Sequence, residues 1–254
     1  MFIPITAISM FTGAVVFFSA WWYVGYRAGQ AQVMLSRPVE LFRQFFLYMA
    51  IFLGISSSAH LWLVFRPEAF PLAAAVAFTV GHVFTYLALI ALARMTCALV
   101  PKLGAHERSI VITLGVAAAV VTMMTAVTMI WGVQPFYDYE HNVTINNASR
   151  PVGASIGMLT LVTMLPVLVM FVVFAVRSGG SRRTRSLLLA GGMVVLIVSG
   201  TMHNLARNGD VYVLADLLTI IGVFVLGTGV IYRMEQSMAP VVDKPVLEPS
   251  SNTV

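Results

Sequence analysis

Seven long apolar runs constrain this chain more than anything else in its sequence. They span about Ile5–Gly25, Phe45–Phe65, Pro71–Ala93, Ile110–Val133, Val152–Val176, Ser186–Ala206 and Val211–Tyr232. Each holds on the order of 20 residues, which at about 1.5 Å per residue covers roughly 30 Å of hydrocarbon. No water is available there, so the backbone must satisfy itself in a helix or a closed barrel. A barrel would alternate apolar and polar residues, and these runs do not alternate. Only 10% of the 254 residues are charged, against about 25% in an ordinary soluble domain. The expected fold is therefore all-α: a polytopic seven-transmembrane helix bundle over residues 1–233. A Pro- and Ser-containing cytoplasmic tail over 234–254 has too little apolar surface to order itself. The opening MFIPI has no basic n-region, so the first helix is read as part of the mature chain.

Basic residues set the expected orientation. With the N-terminus outside, the inner face collects Arg27, Arg37, Arg43, Arg94, Lys102, Arg108, Arg177, Arg182, Arg183, Arg185, Arg233 and Lys244. The outer face keeps only Arg66, Arg150 and Arg207. This positive-inside bias puts the C-terminus in the cytoplasm and makes the chain a multi-pass protein of the inner (plasma) membrane. The net charge of +5 and pI of 9.7 then reflect topology and contacts with the lipid bilayer, and no nucleic acid is expected as a partner.

Most polar residues within the runs have a packing explanation. Thr122, Thr125 and Thr128 recur at helical spacing, and Gly191, Gly192 and Gly200 let helices approach closely. Pro166 is expected to kink the fifth helix. Ionisable groups are harder to explain this way, because they are costly in hydrocarbon and usually face the bundle interior. There are four: His60, His82, His203 and Asp216. Counted from the helix ends, His60, His203 and Asp216 lie roughly 6–9 Å below the outer boundary, and His82 roughly 17 Å down. If the seventh helix touches both the second and the sixth, the first three converge on one outward-facing site. Ser56, Ser199 and Thr219 lie one turn from them. Thr79, His82, Thr85 and Tyr86 form a polar stripe on the third helix.

His60, His82 and His203 are thus the candidate cofactor-binding residues, and Asp216, Tyr86, Asn204 and His141 the candidate ligand or ion-pair residues. No catalytic residue stands out and a metal remains unassigned. His141 belongs to the non-helical stretch Gln134–Arg150, long enough to fold over the bundle mouth as a lid. That stretch also holds two short glycosylation patterns, Asn142-Val143-Thr144 and Asn147-Ala148-Ser149.

Three features resemble the seven-helix membrane sensor region of bacterial histidine kinases. They are the Arg182-Arg183-Thr184-Arg185 entry to the sixth helix, the hairpin with Asn204 and Arg207, and the closing ADLLTIIGVFVLGTGVIYR from Ala215 to Arg233. The resemblance implies ligand sensing, and no kinase domain follows. The expected function is a ligand- or cofactor-binding standalone sensor or accessory subunit that signals through a membrane or cytoplasmic partner protein. This is favoured over an enzyme. One alternative is a b-type haem electron-transfer protein with His60 and His203 as axial ligands. Another is a metal-dependent hydrolase built on His60, His203 and Asp216. A transporter finds no inverted repeat to support it. Retinal chemistry is excluded, because the only lysines, Lys102 and Lys244, lie outside the runs.

Overall fold

The computed structural model describes residues 3–30 and 34–232. The expected tail over 234–254, Arg233 and Lys244 lie outside the described residues. Among the described residues, seven helices are long and apolar enough to cross a membrane. They are α1 (Ile5–Gln30), α2 (Arg37–Ser58), α3 (Phe70–Leu99), α4 (Glu107–Ile130), α5 (Arg150–Arg177), α6 (Gly180–Leu205) and α7 (Gly209–Ile231). Several run past the apolar segments into polar sequence, as at Arg37 and Gly180, because a helix continues wherever its backbone bonds can form. α5 runs unbroken through Pro166.

The second apolar run is not one helix. α2 stops at Ser58, Ala59 and His60 form a turn, and a short helical stretch Leu61–Phe65 follows. His60 therefore sits at a break rather than on a continuous face. The expected lid is also more ordered than an irregular loop. Phe136–Asp138 (β1) and Val143–Ile145 (β2) pair antiparallel, with Tyr137 opposite Thr144. Asp138 Oδ1 accepts from the backbone N–H groups of Glu140 and His141 and closes the turn. Asn142 takes the left-handed conformation at φ 56°, which asparagine tolerates better than most residues. Strand β2 is buried throughout, with Val143 0% exposed.

α7 packs mainly on α6 and α1, and α2 mainly on α3 and α1. So α1 stands between α2 and α7, and these two helices face one another across a cavity that both line, through Phe52 and Leu53 on one and Asp216 and Thr219 on the other. Small residues allow these approaches. A Cβ on Gly192 of α6 would lie 2.7 Å from the backbone nitrogen of Leu226 in α7, whereas one on Gly191 would meet nothing nearer than 4.0 Å. The hydroxyls of Thr122, Thr125 and Thr128 each donate to the carbonyl four residues back, which accounts for them without a ligand.

The outward faces remain apolar. Only 17% of the most apolar stretch of α4 is buried inside the bundle, and Val116, Val120, Met123 and Val127 are exposed on it. An apolar surface this extensive calls for apolar surroundings.

The α6–α7 contact makes a direct prediction. Gly192→Val should destabilise the bundle by about 1–3 kcal/mol through overpacking, while Gly191→Val, with the same change in helix propensity, should cost much less. Reversible unfolding in mixed micelles measures both, and equal costs would contradict the close approach.

Candidate functional site

Asp216 of α7 is completely buried. The short connection between α6 and α7 sets its main partner. Asn208 caps α7 by accepting from the Val211 N–H, so the two helices run antiparallel in a tight hairpin. His203 Nε2 then lies 3.0 Å from Asp216 Oδ1. The other ring nitrogen, Nδ1, is 3.0 Å from the carbonyl of Ser199. A carbonyl only accepts, so Nδ1 carries a hydrogen. One further proton must then occupy the His203–Asp216 contact, on nitrogen or on oxygen. It makes either an ion pair or a neutral imidazole–carboxylic acid pair.

The second carboxylate oxygen is met from α1. The Thr6 hydroxyl donates to Asp216 Oδ2 at 2.7 Å, and the Ser9 hydroxyl donates to the Asp216 backbone carbonyl at 3.3 Å. Thr6 Oγ1 in turn accepts from the Thr144 N–H of β2 at 3.0 Å. The Thr144 side chain reaches the opposite way. His60 Nδ1 faces the Ser57 carbonyl at 3.3 Å, which leaves Nε2 to accept from the Thr144 hydroxyl at 2.9 Å. His60 and Asp216 are therefore joined through Thr144 and Thr6 rather than by direct contact. Tyr212 braces the same end: its hydroxyl donates to the His203 carbonyl at 2.8 Å and accepts from the Asn146 N–H at 3.1 Å.

A cavity of about 150 Å³ lies against the pair, lined by His203, Asp216, Ser199, Thr219 and Ser9 on one side. From α3 it is lined by His82 and Thr85. His82 Nδ1 is taken by the Phe78 carbonyl at 2.8 Å. Its Nε2 forms no hydrogen bond to any described residue. Thr85 Oγ1 is likewise buried without a partner among the described residues, as are Ser56 Oγ and Tyr86 Oη. His60 does not line this cavity. The grouping by depth thus needs correcting: His82, placed apart by depth, shares the cavity with His203, while the His60 ring is turned to Thr144 of the hairpin.

The remaining candidates are dispersed. Asn204 lines the cavity but donates to the Gly200 carbonyl at 2.8 Å. Tyr86 borders a separate void of about 10 Å³. His141 lies outside the bundle core, between two carboxylates, with Nδ1 2.8 Å from Asp138 and Nε2 3.4 Å from Asp210. Of the glycosylation patterns, the first has its Thr144 buried in this network.

Neither cofactor reading finds its ligands. Among the described residues, no group of three or more His, Cys, Asp or Glu is placed to hold a metal ion. For a bis-histidine haem, His60 Nε2 and His203 Nε2 are committed to Thr144 and Asp216. The cavity is also smaller than the roughly 300–1,000 Å³ of usual cofactor pockets. The residues present do not fit that group. Comparison with family models, curated proteins and solved structures finds no match to this chain.

The hairpin clasp has a defined pH dependence. Its hydrogen bond to the Asp138 carboxylate raises His141 above the usual imidazole value of 6.5, and the same bond holds Asp138 below its usual 3.8. The His141 contribution is complete below about 6.5 and is lost as pH rises through the raised folded value. Asp138's share is complete above about 3.9 and is lost as pH falls through the lowered one. These are one interaction seen from two sides. Protection of the 136–146 amides, corrected for intrinsic exchange, should therefore fall as pH rises from 6 to 9 in the native chain and stay flat in His141→Gln. A matching fall in both would contradict the clasp.

Proposed function

We propose that this chain is a multi-pass membrane protein that acts as a sensor or accessory subunit, binding a small polar ligand or a proton beside His203 and Asp216. The proposed orientation puts the hairpin end outside and the Arg182–Arg185 end in the cytoplasm. It rests on the distribution of basic residues. The likeness to the sensor region of histidine kinases supports the same role and is carried by the α6 entry, the Asn204–Arg207 hairpin and the α7 sequence.

One observation carries the reading: the buried His203–Asp216 contact borders a cavity and, with Thr6, ties three helices together. The pair links α6 to α7, and Thr6 links α7 to α1. A ligand or proton that binds the paired and unpaired arrangements unequally shifts the helices between them. The cavity holds about five waters' worth of space, which suits an inorganic ion, a small hydrogen-bonding molecule or water itself. His82 Nε2 and Thr85 Oγ1 supply unmet polar groups on the far wall. In this reading the signal passes to a partner protein through the α6–α7 pair at its Arg182–Arg185 end.

The test uses protons as the probe. In cells acidified externally from pH 7.5 to 5, amide exchange at the hairpin-end turns of α1, α6 and α7 should change in a His141→Gln background. That background removes the clasp's own titration. The change should be absent when Asp216→Asn is added, with insertion unaffected. An identical response in both proteins would make the pair a packing device only. A response to cytoplasmic but not external acidification would reverse the orientation.

A further inference from the structure

A cavity larger than the one beside His203 also lies within the bundle. At the opposite end, about 620 Å³ of space lies among α1, α2, α3, α5, α6 and α7, well within the range of ligand pockets. Its lining is divided. Phe42, Leu99, Phe171, Phe174 and Leu189 make an apolar portion, and Arg43, Arg182 and Arg185 stand with several serines at the polar portion. No aspartate or glutamate is among the lining residues.

The three arginines differ in what holds them. Arg43 is fixed by the Trp21 carbonyl at 3.2 Å, by Glu40 at 3.3 Å and by the Trp21 ring, 4.8 Å from its centroid. Arg185 donates to the last carbonyls of α7, those of Gly229 at 3.2 Å and Val230 at 3.5 Å. Both are thus placed by the fold. Arg182 is exposed and makes no hydrogen bond or ion pair to any described residue. Three guanidinium groups border one space, and Glu40, which bonds Arg43, does not line it, which leaves an excess of positive charge that an anion would relieve.

We propose that this cavity is a binding site for an anionic phospholipid, its phosphate held by Arg182 with Arg43 and Arg185, and an acyl chain lying along Phe42, Phe171 and Phe174. The division of the lining favours an amphiphile over a free anion. Leu99 and Phe174 are partly exposed on the apolar flank of the bundle, where an acyl chain of the surrounding bilayer reaches them. Basic pockets between transmembrane helices recognise anionic headgroups by the same charge complementarity. The inference rests on the bundle spanning a bilayer, but not on its role as a sensor. Lipid retention and the response to external pH are read separately, so either can fail alone.

The purified full chain, titrated in neutral detergent, gives the test. Dioleoyl phosphatidylglycerol should be retained in native mass spectra and should raise the unfolding midpoint, with dioleoyl phosphatidylcholine doing neither. Arg182→Gln should weaken retention about fivefold, the worth of one arginine near an anionic headgroup, and Arg182→Lys should restore most of it. Arg183→Gln removes the same charge one residue away from a side chain that does not line the cavity, and should change little. Equal losses from Arg182→Gln and Arg183→Gln would mean diffuse surface attraction and overturn the site. Retention of phosphatidylcholine as tight as that of phosphatidylglycerol would overturn it too. Stabilisation by inorganic phosphate alone, equal to that by phosphatidylglycerol, would replace the lipid by a free anion and overturn the proposal.

Discussion

A carboxylate enclosed in an apolar bundle costs several kcal/mol unless its charge and lone pairs are met. Asp216 is enclosed completely, and much of the hairpin-end architecture follows from meeting that demand. His203 comes from α6, Thr6 and Ser9 from α1, and Thr144 backs Thr6 from the hairpin. Removing any one of these leaves a buried polar atom short of a partner, a penalty larger than the net worth of the bond itself. The network therefore specifies which helices meet at this end, a task apolar contacts between lipid-like side chains perform poorly.

The hairpin is part of this network rather than a cover laid over it. Its inner strand is buried, its Thr144 reaches both His60 and Thr6, and its Asn142 carbonyl accepts from the Ile5 N–H at 2.9 Å at the start of α1. At the outer edge His141 clasps Asp138 and Asp210, and Gly209 lies so close to the ring that a Cβ there would sit 2.2 Å from Nδ1. A polar end tied this tightly contrasts with the opposite end. There a large arginine-lined space separates the same helices, so the bundle is braced at one end and open at the other.

How far these features could be read in advance depended on the kind of interaction. Helix number followed from the length of the apolar runs, because hydrocarbon thickness is a one-dimensional constraint. The His203–Asp216 contact was legible too: a four-residue connection leaves two antiparallel helices little freedom of register, so equal depth implied proximity. Lateral order was not legible. Hydropathy does not say that α1 separates α2 from α7, and His60 was grouped with Asp216 on depth alone. Thr6 and Ser9 were missed because a hydroxyl in an apolar helix ordinarily satisfies itself on the preceding turn, as Thr122 and Thr125 do; Thr144 was missed because it lies on the hairpin, whose docking against α1 no sequence pattern announces. The one available hint was the Thr6–Ser9–Gly13 spacing, a small-residue face on α1. Strands of three residues, such as Phe136–Asp138, are too short for alternation to show.

The account turns on His203 and Asp216 acting as one unit, and a double-mutant cycle measures that coupling directly. His203→Phe and Asp216→Asn, singly and together, would be compared by reversible unfolding in bicelles at neutral pH. Phenylalanine removes both ring nitrogens without offering a new hydrogen bond, so the cycle isolates the pair. A coupling of about 1–3 kcal/mol is expected for a buried, hydrogen-bonded pair. Single-mutant effects that add to within about 0.5 kcal/mol would contradict it, because independent sites behave that way.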